Sequence, residues 1–91
     1  MTQQYIVGEF SSLIGELERT AGELRRGVSS LRRQIEASPP GELPKLARAA
    51  LSLTDLVCLR ALEEGDVATF RHSAETAVAL REFTISANLL S

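Results

Sequence analysis

Apolar residues along the first third of the chain recur at alternating intervals of four and three. Val7, Ile14, Ala21, Val28 and Ile35 hold one position of a seven-residue repeat, and Phe10, Leu17, Leu24 and Leu31 hold the other. Sustained over four repeats, this spacing predicts one helix from about residue 4 to residue 37, with a narrow apolar seam that faces a partner helix. β-branched residues at the first position and Leu at the second suit a parallel two-stranded coiled coil. The flanking positions argue otherwise. They hold Leu13, Thr20, Gly27 and Gln34 on one side, and Ser11, Glu18, Arg25 and Arg32 on the other. No pairing of opposite charges is written there, so a helical bundle fits better than a free-standing zipper.

Two breaks divide the rest of the chain. In "ASPPGELP", residues 37 to 44, three prolines and a glycine stop any helix. In "EEGDVA", residues 63 to 68, Gly65 is placed to take a left-handed conformation after one helix and Asp66 to cap the next. Helix 2 then spans about 44 to 64 after a Pro/Gly loop at 38–43, and helix 3 about 66 to 90. Helix 2 is apolar on most of its circumference between Ala49 and Leu62, which predicts burial on more than one side. Helix 3 is expected to turn Phe70, Ala74, Ala77, Leu80, Phe83, Ala87 and Leu90 inward and Arg71, His72, Glu75, Glu82 and Ser86 outward. No segment alternates as a strand does. The fold class is therefore all-α, a single domain over residues 1–91: a long helix 1 followed by an antiparallel hairpin of helices 2 and 3.

Helix lengths add a constraint. At 1.5 Å per residue, helix 1 would reach roughly 50 Å, against ~30 Å for helix 2 and ~37 Å for helix 3. A hairpin of that size cannot cover the whole seam. Either helix 1 breaks near a glycine or a second chain covers the remainder. The expectation is a homodimeric bundle with the interface on Val7, Phe10, Ile14, Leu17, Ala21, Leu24, Val28, Leu31 and Ile35.

A second pattern lies beside that seam. The pair Gly-Glu occurs at 8–9, 15–16 and 22–23, so Gly8, Gly15 and Gly22, followed by Ser29, line up along helix 1. Each glycine costs ~1 kcal/mol relative to alanine inside a helix. One explanation is a smooth groove for the close approach of another helix backbone, supplied by helix 2 or 3. The other is a row of surface glycines tolerated because tertiary contacts carry the helix.

Composition narrows the setting. With 44% hydrophobic and 24% charged residues the chain has the balance of a globular protein and not of a disordered one. Its aromatic residues are Tyr5, Phe10, Phe70 and Phe83, so the core must be aliphatic. Nine arginines to one lysine, with abundant alanine, point to a GC-rich bacterial genome. Cys58 has no second cysteine to pair with and sits among aliphatics in "TDLVCLRAL", which predicts a buried, reduced thiol of raised pKa. Neither a secretory leader nor a run of ~20 apolar residues is present, and a cytoplasmic protein without membrane contact is expected.

Candidate chemistry is sparse. Arg25, Arg26, Arg32 and Arg33 could contact phosphates as a stripe on helix 1. Five acids balance five arginines over residues 1–37, however, and Glu16–Arg19, Glu23–Arg26 and Arg32–Glu36 have local pairing spacing. The net charge of −2 adds no long-range attraction to nucleic acid. "LSLTDLVCLRALEEGDVATF" has the look of a bacterial helix-turn-helix, but helix 3 runs on without the second turn that would free a recognition helix. His72 is the one histidine, excluding a multi-histidine metal site within a chain, and its expected neighbour is Glu75. Cys58 and His72 lie symmetrically about Gly65 and could meet across the hairpin. No phosphate loop, carboxylate pair or triad stands out. No catalytic, cofactor or metal site is expected.

The stretch "LARAALSLTDLVCLRALEEGDVATFRHSAETAVALREF" loosely resembles the helix-turn-helix units of tetratricopeptide-type scaffolds: a Leu/Ala-rich helix, "EGD", then an Ala-rich helix. It covers fewer than half the residues and lacks that repeat's aromatic and proline landmarks, so shared hairpin physics accounts for it. The functional expectation is a small cytoplasmic helical interaction module, a self-associating adaptor or accessory protein without catalytic activity. Its partner would be a second copy or another protein. The alternative is a DNA-associated regulator using the helix 1 arginines. A third reading, a helical pocket for an apolar ligand, rests on the aliphatic richness of helix 2.

Overall fold

In the computed structural model, which describes residues 3–90, the apolar seam of residues 7–35 is folded back on itself. The single helix expected from 4 to 37 is replaced by two, α1 (Gln3–Arg19) and α2 (Arg25–Ala37), joined through a 3-10 turn at Gly22–Leu24. A second 3-10 turn at Pro40–Glu42 leads into α3 (Leu43–Glu63), and α4 (Val67–Ser86) follows. Among the described residues all regular structure is helical. The unit thus has four helices and not three, and the second and third helices of the sequence reading are α3 and α4.

Local chemistry explains the break. At the end of α1 the Thr20 amide reaches back to the Leu17 carbonyl at 3.2 Å and Ala21 to Glu18 at 3.4 Å, the tightening typical of a helix terminus. Gly22 then takes φ 57, a conformation that a residue without Cβ adopts at no steric cost. The reversal lays α2 along α1, and Ser11 consequently meets Arg32 and Glu36. Burying a large aliphatic or aromatic side chain stabilises by about 1.5–3 kcal/mol, whereas a helical hydrogen bond given up at the turn is worth about 1 kcal/mol net. Covering the two halves of the seam with each other wins by that margin. A straight helix of ~50 Å would also exceed the longest dimension of the particle, 39 × 23 × 17 Å.

The other connections are capped. Gly65 has φ 71, the Asp66 amide bonds to the Ala61 carbonyl at 2.9 Å and Gly65 to Leu62 at 3.1 Å. These are the paired bonds of a Schellman turn. Asp66 then caps α4, its carboxylate accepting from the Thr69 amide (3.1 Å) and hydroxyl (2.7 Å). Those bonds favour the ionised form and hold its pKa below the usual carboxylate range. Their contribution is present at neutral pH and is lost as the pH falls through that lowered value. At the far end α4 stops at Ser86, four residues before the expected boundary, because Asn88 takes φ 58 and the Leu89 amide bonds to the Thr84 carbonyl at 2.8 Å.

The core gathers Phe10, Ile14 and Leu17 from α1, Val28, Leu31 and Ile35 from α2, a stripe of α3, and Leu80 and Phe83 from α4. Each helix packs on its chain neighbour and α4 returns to α1, an up-and-down four-helix arrangement. The radius of gyration, 12.6 Å, is close to the ~12 Å of a compact chain of this length.

α3 and α4 differ from the sequence reading in which sides they bury. α3 hides one stripe only, from Leu43 and Leu46 to Val57 and Ala61, and leaves Leu56, Leu59 and Leu62 exposed. α4 turns inward Ser73, Thr76, Leu80, Phe83 and Thr84. Of its expected inner face, Leu80 and Phe83 are buried, Ala74, Ala77 and Ala87 are half-buried, and Phe70 and Leu90 are exposed.

The glycine row does not line a helix crossing. A Cβ built on Gly8 or on Gly22 meets nothing within 4 Å, and Gly22 lies in the turn. Only Gly15 is crowded, and by a side chain: its Cβ would come 3.0 Å from Arg32 Nη1. Gly8 is thus an exposed residue in the interior of α1. Gly8→Ala is expected to stabilise the fold by up to about 1 kcal/mol, read as a higher denaturant midpoint with an unchanged slope. A loss of stability would show that another contact needs the bare backbone.

Candidate interaction face

The seam residues sit where they serve the chain itself. Phe10, Ile14, Leu17, Ala21, Val28, Leu31 and Ile35 are buried, while Val7 and Leu24 are half-buried against the same core. The surface expected to receive a second molecule is covered from within the chain.

The apolar surface left over is elsewhere, on the outer side of the α3–α4 hairpin. α4 carries two apolar stripes, and the core uses one. The other, with Val67, Phe70, Ala74, Val78 and Ile85, faces out. Val67 is 67% exposed, Val78 58% and Ile85 66%. These values distinguish the stripe from the occasional surface aliphatic, because the residues adjoin one another. One depression lies among Phe70, Ala74, Ala77, Val78 and Ile85, with Cys58 of α3 on its wall. A second, reaching Val67, shares Phe70, Ala74 and Val78 with it. Apolar surface therefore runs along α4 from Val67 to Val78, and Arg81 and Glu82, which also line the first depression, stand between Val78 and Ile85.

Charged groups frame this strip. Arg81 reaches Asp55 across the hairpin at 4.0 Å. Arg71, Glu75 and Glu82 lie on the other flank of α4. Arg71 and Glu82 form no ion pair among the described residues. Cys58 is half-buried, and burial first, then the Asp55 carboxylate, pushes its thiol pKa up. A raised pKa keeps the sulfur protonated and a poor nucleophile.

No family model, curated protein or solved structure matches this chain.

The remaining sequence candidates are dispersed. Arg25, Arg26 and Arg33 are exposed, but Arg32 is half-buried, its guanidinium over Gly15 and its Nε donating to Ser11 Oγ at 3.2 Å. Ser11 in turn donates to Glu36 at 2.8 Å. The expected four-arginine stripe thus presents three side chains. His72 turns toward α1, not toward Glu75: its Nε2 lies 3.8 Å from a Glu16 carboxylate oxygen and 3.4 Å from the Glu16 carbonyl. Cys58 faces the outer groove, so the two residues do not form a pair. Glu23 binds Arg60, tying the Gly22 turn to α3. Among the described residues no cluster of three or more His, Cys, Asp or Glu is arranged to hold a metal, and no helix is long and apolar enough to cross a membrane.

One other apolar feature was hidden in the sequence. A groove between α2 and α3 is lined by Leu31, Leu46, Leu53 and Leu56. The outer stripe of α4 was visible as apolar spacing, but periodicity could not say which stripe would face in.

Proposed function

We propose that this protein is a small cytoplasmic helical interaction module without catalytic activity, and that it associates with a second copy of itself through the outer face of α3–α4. The observation that carries the reading is the exposed apolar strip from Val67 to Val78, with Ile85 beyond Arg81 and Glu82. Contiguous exposed apolar surface on a soluble domain marks a binding site more often than isolated exposed side chains do. The small Ala74 and Ala77 sit near the middle of α4, where they permit a close helix crossing.

Charge placement favours a second copy as the occupant. Arg71 and Glu82 lie symmetrically about the middle of Val67–Ser86. They are roughly three turns apart and therefore on the same flank. With α4 antiparallel to its counterpart across a two-fold axis, Arg71 faces Glu82 of the partner subunit and the reverse, while the apolar strips meet between them. The cytoplasmic setting is supported by the solitary thiol, which an oxidising compartment would expose to cross-linking.

Sedimentation equilibrium tests this reading. A dimer of the 9.9 kDa chain is expected at micromolar concentration, with Val78→Glu and Arg71→Glu each giving a monomer of unchanged helix content. The exchange Arg71→Glu with Glu82→Arg should restore the dimer. A wild-type monomer at that concentration, or a dimer indifferent to Val78→Glu, would refute it.

A further inference from the structure

The seven-residue pattern passes through the α1–α2 turn without a change of phase. Leu17, Ala21, Leu24 and Val28 keep the four-three-four spacing across the point where the chain reverses. Turns between separate helices ordinarily break such a pattern, as the prolines at 39, 40 and 44 do in this chain. Here the sequence on both sides still describes one helix.

Much of the turn's backbone is already close to helical. Ala21 (φ −74, ψ −17) and Arg25 (φ −53, ψ −41) are right-handed helical, and Leu24 (φ −87, ψ 1) lies beside that region. Gly22, at φ 57, is the residue of the turn with a positive φ. The Gly65 turn is held by its paired Schellman bonds and the Asp66 cap. At the Gly22 turn neither Ala21 nor Leu24 caps with a side chain; the bonds are the short-range ones of Thr20 to Leu17 (3.2 Å), Ala21 to Glu18 (3.4 Å) and Leu24 to Ala21 (3.0 Å), beside the exposed Glu23–Arg60 ion pair. No proline stands between residues 3 and 37. Returning Gly22 to the right-handed region therefore lets α1 and α2 join as one helix.

We infer that α1 can be exchanged between two copies of this chain: with Gly22 right-handed, residues 3–37 form one continuous helix, and α1 of each copy packs on α2 of the other. Every contact α1 now makes within the chain has its equivalent between chains. Phe10, Ile14 and Leu17 return to the same core, and Ser11 meets Arg32 and Glu36 of the partner subunit. The two states then differ chiefly in the hinge and in the concentration dependence of pairing. The continuous helix of roughly 50 Å exposes the seam unless a second copy lies along it, so the open form is stable only as a pair. This exchange uses a different surface from the α3–α4 face and does not depend on it.

The test uses full-length chains carrying Val78→Glu, so that docking through α3–α4 contributes nothing. Gly22→Ala both loses the left-handed conformation and gains helix propensity, in two chains per dimer. It is expected to shift the balance toward the exchanged dimer by roughly a thousandfold. Gly22→Asn, which tolerates the left-handed conformation, is expected to stay monomeric at the same concentration. Exchange is read by mixing two pools in a Cys58→Ser background, one with Ser11→Cys and one with Glu36→Cys, refolding them together and oxidising. A disulfide linking the two chains through positions 11 and 36 is the expected product with Gly22→Ala. A Gly22→Ala monomer, or a dimer lacking that link, would overturn the inference. Should Gly22→Ala fail to fold, the same mixed pools with Gly22 intact, refolded at millimolar concentration, decide: the 11–36 heterodimer supports exchange, and its absence overturns it. An α3–α4 dimer that proves absent leaves both outcomes readable.

Discussion

Phe10→Ala is expected to destabilise the protein by about 3–5 kcal/mol, measured as the loss of unfolding free energy in guanidinium titrations followed by far-ultraviolet circular dichroism. Phe10 is fully buried and among the largest such side chains. Its ring lies 5.7 Å from that of Phe83, tilted by 43°, and joins α1 to α4. Truncation removes the transfer free energy of the ring and leaves a cavity that the surroundings fill poorly. The inner face of α4 holds Ser73, Thr76 and Thr84 beside Leu80 and Phe83, so few flexible apolar side chains are available to collapse into the gap. Small domains have about 5–15 kcal/mol in total, and this one substitution brings the chain near its unfolding threshold. A cost below about 1 kcal/mol would mean that α1 does not pack on α4 as described.

Ser73→Ala is expected to act in the opposite direction, raising stability by about 1–3 kcal/mol. Ser73 is fully buried and its hydroxyl has no hydrogen-bond partner. The other buried hydroxyls of the bundle each find an acceptor: Ser11 donates to the Glu36 carboxylate at 2.8 Å, Thr54 to the Ala50 carbonyl at 2.7 Å, Thr76 to that of His72 at 3.1 Å and Thr84 to that of Arg81 at 2.9 Å. Alanine keeps the volume nearly unchanged, removes the unpaired group and improves helix propensity. Guanidinium titration again provides the measurement. A destabilised Ser73→Ala protein would show that the hydroxyl has a partner when folded, such as a buried water.

The positions where the sequence reading and the structure part company share one physical cause. Apolar spacing identifies a helix and its candidate faces, but it is indifferent to what covers them. Phe10, Ile14, Leu17, Val28, Leu31 and Ile35 are buried, yet the pattern did not distinguish cover by a second molecule from cover by the other half of the same seam. α4 is apolar on two stripes, and choosing Phe70, Ala74 and Ala77 over Ser73, Thr76 and Thr84 is the natural error when hydroxyl residues are scored as polar. A threonine in a helix can satisfy its own hydroxyl on the carbonyl one turn back and then bury like valine. The glycine row misled for a related reason: regular spacing is not contact, and only Gly15 has a neighbour, the Arg32 side chain. The candidate interaction face is the residue of these choices, so it became visible only when the core had taken its share.

The sequence by itself determined that the chain is helical, that prolines separate residues 37 and 44, that Gly65 and Asp66 turn and cap the hairpin, and which residues carry the seam. These follow from local rules: backbone sterics, capping hydrogen bonds and the 3.6-residue period act within a few residues of one another. The tertiary structure decided that Gly22 reverses the chain, that the seam closes on itself, and that the second stripe of α4 stays outside. Those outcomes depend on which surfaces compete for burial once four helices meet, a contest between non-local areas that no short window of sequence contains.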